Sequence, residues 1–233
     1  MLEYQQENKR RYDDPPSALQ FVKKASQMRG LVFGNKIDAL LSGGLAPNTL
    51  TFLYGKNADP LMNILCGNSI RIFGERAIFI DAANSFDPYL IVEKCVPIKS
   101  EVSARKFCER ITIFRAFTCY QLRKLVSDKL GKEISKIGEP VRSVFVTGID
   151  SMFSEEDNTT EETEVLQLLI AQDLARFASG KKKNGMFVVA SSKERVEPLF
   201  SKCDLAIELH SLSGQKAMLA KHYSKQYAES EIF

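Results

Sequence analysis

The sequence predicts an α/β protein with a mostly parallel, twisted β-sheet that is covered by helices on both faces. Short runs of β-branched and aromatic residues recur along the chain and are apolar on both faces, as in strands buried from both sides. Helix-compatible segments separate these runs, as in repeated βαβ units. The predicted strands lie at 50–54, 77–80, 111–114, 143–147 and 186–190, and the helices at 61–72, 87–95, 119–130 and 164–179.

Composition indicates an intracellular globular protein. The chain has 233 residues, of which 44% are hydrophobic, enough for one large domain with a real core. No stretch approaches 18 consecutive apolar residues, so we expect no transmembrane helix and no membrane association. The first residues are polar and do not match a signal peptide. The formal net charge of +3 is too small to indicate nucleic-acid binding by itself.

Cysteine and histidine usage gives no sign of a metal site. The five cysteines are scattered and show no Cys-x-x-Cys spacing, and the chain has only two histidines. We therefore expect reduced thiols and no bound metal.

The amino-terminal third is predicted to hold a flexible arm, a helix and a turn that leads into the first strand. Residues 1–16 are charged and turn-rich, which is typical of a flexible arm, and 17–29 can form an amphipathic helix. A short helix at 37–41 is predicted to end at Gly43 and Gly44, before the buried strand at 50–54.

The first strand and the residues after it have the layout of a phosphate-binding loop, Gly-x-x-x-x-Gly-Lys-[Ser/Thr], between a strand and a helix. With the first glycine at Gly55, the second falls on Pro60, the lysine on Leu61 and the hydroxyl residue on Met62. Pro60 has no N–H, Leu61 has no charge and Met62 has no hydroxyl for Mg²⁺. The stretch alone fits either a simple turn glycine or a phosphate loop that has lost its chemistry.

Basic residues near the last predicted helix have two interpretations. The helix at 164–179 carries an apolar stripe that indicates core packing. Lys181, Lys182 and Lys183 follow it, where cations suit a helix carboxyl terminus. A nucleic-acid contact is the alternative.

The segment 34–55 resembles the entry to the ATPase core of the RecA-type recombinases, in the archaeal RadA and eukaryotic branch. In that family a threonine-glycine, a short helix ending in glycines and a strand lead into the phosphate loop. The resemblance continues in order through 77–86, 111–121, 143–153 and 186–192, and ends at segments similar to the family's closing β-hairpin, 203–209 and 217–222. It implies a RecA-like core domain over 17–233, with ATP and Mg²⁺ as the family's usual cofactors.

Departures from the family pattern predict a pseudo-ATPase without bound cofactor. The family's catalytic glutamate corresponds to Ala83, and its Walker B aspartate to Thr147 if the strand is aligned on Phe153. Asp150 lies three residues later and is expected to point elsewhere. The family's sensor residues correspond to Ala190-Ser191-Ser192. Phosphoryl transfer depends on positioning and electrostatics from such groups, so we expect no ATPase activity.

The two segments that correspond to the family's DNA-binding loops predict weak DNA binding. The first, 154–164, carries six carboxylates and no cation, so it repels phosphates. It is either a solvated, disordered loop or an acidic docking segment for a basic partner. The second, 193–202, offers Lys193, Arg195 and Lys202 with Phe200. The complete set of candidate DNA-binding residues is Arg10, Arg11, Lys181, Lys182, Lys183, Lys193 and Arg195.

The resemblance implies an accessory protein of homologous recombination and DNA repair that binds a RecA/RadA-type recombinase or another paralogue. The family's polymerisation motif falls on Pro15 and Ala18, which lacks the phenylalanine and favours a heteromer. Two alternatives stay open: an ATP-binding paralogue in which Lys56 reaches a phosphate, and a DNA-binding module. Single-stranded DNA is expected to bind weakly. The expected compartment is the nucleus in a eukaryote or the cytoplasm in an archaeon.

Overall fold

The structure is a computed structural model that describes residues 30–34, 37–38, 41, 43–96, 100–153, 160–180, 185–211, 218–224 and 227–232. The predicted arm at 1–16 and the predicted helix at 17–29 lie outside the described residues, and so does the boundary between arm and core. In the part that is described, no helix is both long enough and apolar enough to cross a membrane.

Eight strands and seven α-helices can be followed along the described chain. The strands are β1 (Leu50–Tyr54), β2 (Arg76–Asp81), β3 (Ile111–Arg115), β4 (Val141–Thr147), β5 (Phe187–Ser192), β6 (Leu205–Ser211), β7 (Met218–Ser224) and β8 (Tyr227–Ile232). The α-helices are α1 (Ala58–Phe73), α2 (Pro88–Cys95), α3 (Glu101–Cys108), α4 (Cys119–Lys124), α5 (Leu130–Ile137), α6 (Thr160–Ser179) and α7 (Glu197–Lys202). A π-helical segment, Leu125–Lys129, joins α4 to α5, and a 3-10 turn, Asp150–Met152, follows β4.

The strands form one sheet in the order β3-β2-β4-β5-β1-β6-β7-β8. The first six strands of this order are mutually parallel, and β7 and β8 continue the sheet with antiparallel pairing. The prediction of an α/β protein with a mostly parallel sheet is confirmed. The β6–β7 pair is the antiparallel hairpin expected near the carboxyl terminus.

Two apolar clusters cover the two faces of the sheet. On one face Leu53, Phe79 and Phe145 pack against α1 and α2. On the other face Phe52 and Ile80 pack against α4, α5, α6 and α7. Side chains alternate along each strand, so both faces of the parallel strands are buried, which explains their continuous apolar sequences.

Most predicted elements are present, and the differences have physical causes. Helix α1 begins at Ala58 rather than at 61, and α6 begins at Thr160 rather than at 164. Polar and acidic residues form the first turn of each helix, where the helix macrodipole favours negative charge. The apolar periodicity from which the helices were predicted does not include that turn. Helix α3 has no buried residue and was not predicted, although Ser100 caps it by accepting the N–H of Ser103 at 3.2 Å.

Candidate functional site

The carboxyl ends of β1, β2, β4 and β5 lie side by side at one edge of the sheet. The chain leaves β1 through α1 toward one face, whereas it leaves the neighbouring β5 through α7 toward the other. In open α/β sheets, ligands bind in the crevice outside such strand ends. This carboxyl edge is therefore the candidate functional site.

The turn after β1 is short and closely packed. Gly55 has a φ of +119°, and its N–H donates to the carbonyl of Ser192 at 3.1 Å. A Cβ at this position would lie 2.1 Å from the carbonyl oxygen of Leu209. Gly55 is thus required by a close approach between backbones, in addition to its place in the phosphate-loop pattern.

The amides at the start of α1 are largely engaged by the turn itself. Ala58 donates its N–H to the carbonyl of Gly55 at 3.0 Å, and Leu61 donates to Asn57 at 3.3 Å. Pro60 has no N–H to donate. A phosphate-binding loop needs several such N–H groups directed at one anion. At least three of the first four positions of α1 do not supply one.

Leu61 and Met62 fill the core beneath this turn. Their exposed fractions are 3% and 0%, and both belong to the apolar cluster between α1 and the sheet. Both side chains are therefore part of the core. Lys56 and Pro60 are exposed at the surface of the turn.

Asp59, in the first turn of α1, was not among the site residues predicted from the sequence. Its side chain is buried, and Ser191 Oγ at the end of β5 donates to Asp59 Oδ1 at 2.8 Å. Burial raises the pKa of Asp59, and the hydrogen bond from Ser191 opposes that shift. The negative charges of Asp150 and Asp81 raise the pKa further, whereas Lys193 lowers it. A carboxylate inside a phosphate-loop pattern was the signal that could have revealed this residue.

Asp81 and Thr147 meet where β2 and β4 end. Thr147, to which the resemblance assigns the Walker B aspartate position, is fully buried and donates its hydroxyl to Asp81 Oδ1 at 3.2 Å. The Asp81 carboxylate also accepts the N–H groups of Ser85 at 2.9 Å and Phe86 at 3.2 Å. Asp81 thus caps the turn after β2.

Asp150 connects the segments that follow β4 and β5. Its Oδ2 accepts the backbone N–H of Lys193 at 2.9 Å and of Glu194 at 3.2 Å. Within the described residues, its buried Oδ1 has no hydrogen-bond partner. The carboxylate of Asp150, in the turn after β4, therefore binds the loop after β5.

The loops after β2 and β4 touch at Ala83 and Gly148. Gly148 has a φ of +65°, and a Cβ there would lie 2.3 Å from the Cβ of Ala83. The position that the resemblance assigns to a catalytic glutamate thus holds a methyl group packed against a neighbouring backbone.

The candidate DNA-binding residues after β5 are partly engaged by their own loop. The Arg195 guanidinium lies 3.6 Å from the centre of the Phe200 ring and pairs with Glu197 at 2.7 Å. One face of Phe200 is therefore covered by Arg195, whereas Lys193 is exposed. Arg10, Arg11, Lys181, Lys182 and Lys183 lie outside the described residues.

The sequence predicted a loop over the acidic segment 154–164, but the residues from Thr160 onward belong to α6. Glu161, Glu162 and Glu164 lie on the first turns of α6 and are exposed. Negative charge stabilises a helix amino terminus, which gives these residues a structural role as well. Residues 154–159, with the other three carboxylates, lie outside the described part.

Among the described residues, the carboxylates of Asp59, Asp81 and Asp150 lie at the carboxyl edge and are joined to loop amides and hydroxyls. In the described part of the chain, no group of acidic, cysteine or histidine side chains is arranged to hold a metal ion. The hydrogen bonds described above tie the loops to one another. Comparison with protein-family models and with curated proteins found no match for this chain.

Proposed function

We propose that this chain is a RecA-type recombinase paralogue without ATPase activity, which acts in homologous recombination and DNA repair by binding a RecA-family partner. The observation that carries the proposal is the Asp59 carboxylate, buried at the phosphate-loop turn and hydrogen-bonded to Ser191. This combination retains the strand-turn-helix layout of a nucleotide site and places negative charge inside it.

The order of elements supports the recombinase part of the proposal. The segments that resemble the family's core form β1, β2, β3, β4 and β5 of one parallel sheet, and the segments that resemble its closing hairpin form β6 and β7. A resemblance spread over seven strands in sequence order is harder to produce by chance than any single motif.

Charge and hydrogen bonding argue against nucleotide binding. A triphosphate at this turn would approach the carboxylate of Asp59, and like charges in a partly buried site repel strongly. The amides of Ala58 and Leu61 are already engaged, and buried Leu61 stands in place of a lysine. ATP binding through exposed Lys56 is the competing function, and no observation in the structure favours it.

The edge of the sheet supports a role that depends on a partner. Among the described strands, β3 pairs with β2 alone, so it forms one edge of the sheet. Ile113 on this strand is 41% exposed. Proteins usually protect such an edge, and an unprotected one favours contact with another chain.

The test is affinity capture from native extract with the full chain as bait, followed by mass spectrometry. We expect a RecA-family recombinase or paralogue that co-purifies as a stoichiometric complex after both chains are expressed together. A bait with Ile113→Glu should lose this partner, whereas Tyr89→Glu, the same kind of change at an even more exposed residue on α2, should keep it. Failure of every RecA-family protein of the organism to bind the chain would contradict the proposal.

A further inference from the structure

We propose that the exposed face of the helical run from Cys119 to Ile137 binds single-stranded nucleic acid. We call this surface the α4–α5 face; it includes Phe117 and Tyr120 at one end and the exposed lysines of α4, α5 and the π-helical segment. None of the residues that the recombinase resemblance suggested for DNA binding lies on it. The inference does not depend on the proposed partner.

The helical run has one buried side and one solvent side. Leu122, Val126 and Leu130 are buried at intervals of four residues and pack on the sheet. Positions two residues away from these lie on the opposite side of a helix, about 200° around the axis. Those positions are Tyr120, Lys124, Asp128 and Lys132, all exposed.

The face is predominantly cationic. From Arg115 to Ile137 the chain contains six cations and two carboxylates, Asp128 and Glu133. Lys136 pairs with Glu133 at 2.8 Å. Within the described residues, Lys124, Lys129 and Lys132 take part in no ion pair. Lys124 and Lys132 on the solvent side, with exposed Lys129 beside them, are suited to contact phosphates.

Two aromatic rings stand exposed at the amino-terminal end of this face. Phe117 is 73% exposed and Tyr120 is 53% exposed, large values for aromatic side chains. The Tyr120 hydroxyl bonds to Glu162 of α6, which holds the side chain in place. Proteins that bind single strands combine a cationic track with aromatic rings on which bases stack.

The turn that presents Phe117 is fixed by hydrogen bonds. The N–H of Phe117 donates to Gln121 Oε1 at 2.9 Å, and the N–H of Gln121 donates to Thr118 Oγ1 at 3.2 Å. Thr118 is thus the N-cap of α4, and its neighbour is held in one position. The fixed backbone keeps the Phe117 ring at the surface, where a base can stack on it.

The dimensions fit a short single strand. The 16 residue-to-residue steps from Tyr120 to Lys136 span about 24 Å at about 1.5 Å per step. A strand advances about 3.4 Å per phosphate in a duplex and more when it is extended, so the face accommodates at most about seven nucleotides. Three or four lysine–phosphate contacts would give a salt dependence of about −2 to −3 in log K against log[salt].

A single strand explains the face better than a protein partner does. A protein interface excludes water around aromatic anchors and is depleted in lysine at its core. On this face the two aromatic rings stand at the amino-terminal end, and the lysines without an ion pair follow along the helical run. Duplex DNA does not present base faces for stacking, which leaves single strands as the ligand.

The test measures fluorescence anisotropy of a labelled oligo(dT) of about 20 nucleotides with the full chain at several salt concentrations. We expect micromolar affinity at low salt for the unmodified chain. Phe117→Ala should weaken binding about fivefold or more, because stacking on one ring is lost. The triple variant Lys124→Glu/Lys129→Glu/Lys132→Glu should weaken it further and flatten the salt slope by about 2.

Two control variants test whether DNA binding depends on the α4–α5 face or only on the charge and aromatic content of the surface. Lys56→Glu/Lys94→Glu/Lys106→Glu makes the same charge change elsewhere on the surface, and Tyr89→Ala removes an aromatic ring that is 85% exposed on α2. Both should bind oligo(dT) like the unmodified chain at moderate salt. The inference is overturned if the controls lose as much affinity as the matched variants, or if the unmodified chain binds no oligo(dT). It is also overturned if the α4–α5 variants keep DNA affinity but lose a protein partner.

Discussion

Ser191 at the end of β5 donates a 2.8 Å hydrogen bond to the buried carboxylate of Asp59 in the first turn of α1. This bond connects the strand end where the recombinase resemblance expects sensor residues to the turn where it expects a phosphate. Both positions are thus occupied by a contact within the protein. The consequences can be measured through pH, stability and ligand binding.

Asp59→Asn should stabilise the protein more at about pH 7 than at about pH 3.5. Burial raises the pKa of Asp59 in the folded state, so the folded protein keeps this proton to higher pH than the unfolded chain does. Stability of the unmodified protein therefore falls as pH rises from the ordinary aspartate value of 3.8 to the raised value. An asparagine retains an acceptor for Ser191 but does not ionise. Urea unfolding of both proteins across this range measures the difference.

Ser191→Ala is the matched control for that experiment. The hydrogen bond from Ser191 lowers the pKa of Asp59, so its removal should raise that pKa. The pH range over which stability falls should then extend to higher pH. The explanation fails if Asp59→Asn has the same effect at all pH values.

Leu61→Lys should lower the free energy of unfolding by roughly 1–3 kcal/mol. Leu61 is 3% exposed in the core beneath α1, and a lysine there must either bury its charge or displace its neighbours. Leu61→Met, which conserves volume, should cost less than about 1.5 kcal/mol. Thermal and urea unfolding measure both. An unchanged melting temperature for Leu61→Lys would show that the turn is open.

Gly55→Ala should destabilise the protein by about 2 kcal/mol or more. The residue has a φ of +119°, and an added Cβ would meet the carbonyl oxygen of Leu209 at 2.1 Å. Gly131→Ala is the comparison, because a Cβ at this helical glycine meets no other atom within 4 Å. That change should stabilise the helix by roughly 0.5–1 kcal/mol. Equal effects of the two changes on urea midpoints would contradict the close approach.

The strands of the parallel sheet could be predicted from sequence because burial on both faces leaves continuous apolar runs, as in β4 and β5. Helix starts were less accurate. Asp59 and Glu161 belong to first turns that carry no apolar stripe, so the predicted helices began late. Helix α3 buries no residue and leaves no periodicity to read.

The candidate site was harder to predict because its contacts join distant parts of the chain. The pairing of Asp59 with Ser191 spans 132 residues, and that of Asp81 with Thr147 spans 66. A motif comparison shows which residues are absent, but it does not show which side chains occupy their place. The exposure of the Phe117 ring likewise could not be predicted from the sequence, because it depends on the geometry of the turn.

The isolated chain should hydrolyse no ATP and should bind ATP no better than about millimolar. The reasons are the Asp59 carboxylate, the absent N–H of Pro60 and the buried Leu61. Calorimetry with Mg-ATP and a phosphate-release assay measure binding and turnover. Micromolar binding that Lys56→Ala abolishes, with Lys106→Ala as the matched surface control, would favour the ATP-binding alternative.

Neutralising the exposed carboxylates at the start of α6 should strengthen binding of single-stranded DNA by the isolated chain. Tyr120 contacts Glu162, and Arg123 lines a groove with Glu161 and Glu162, so these acids lie beside the α4–α5 face and repel phosphates. We expect weak binding by the unmodified chain with a shallow salt dependence, and severalfold tighter binding at low salt after the changes Glu161→Gln, Glu162→Gln and Glu164→Gln.

The matched control for this prediction is Glu93→Gln/Glu101→Gln/Glu109→Gln, which makes the same charge change on α2, α3 and the turn after α3. If repulsion is local, this control should raise the affinity less than the α6 variant does, and both differences should shrink at physiological salt because the charges are screened. Circular dichroism shows whether α6 still forms without its first-turn acids. Nanomolar binding by the unmodified chain alone at physiological salt would contradict the adaptor proposal and indicate a DNA-binding module. An α6 variant with unchanged DNA affinity but weaker partner binding would instead identify these carboxylates as a docking segment.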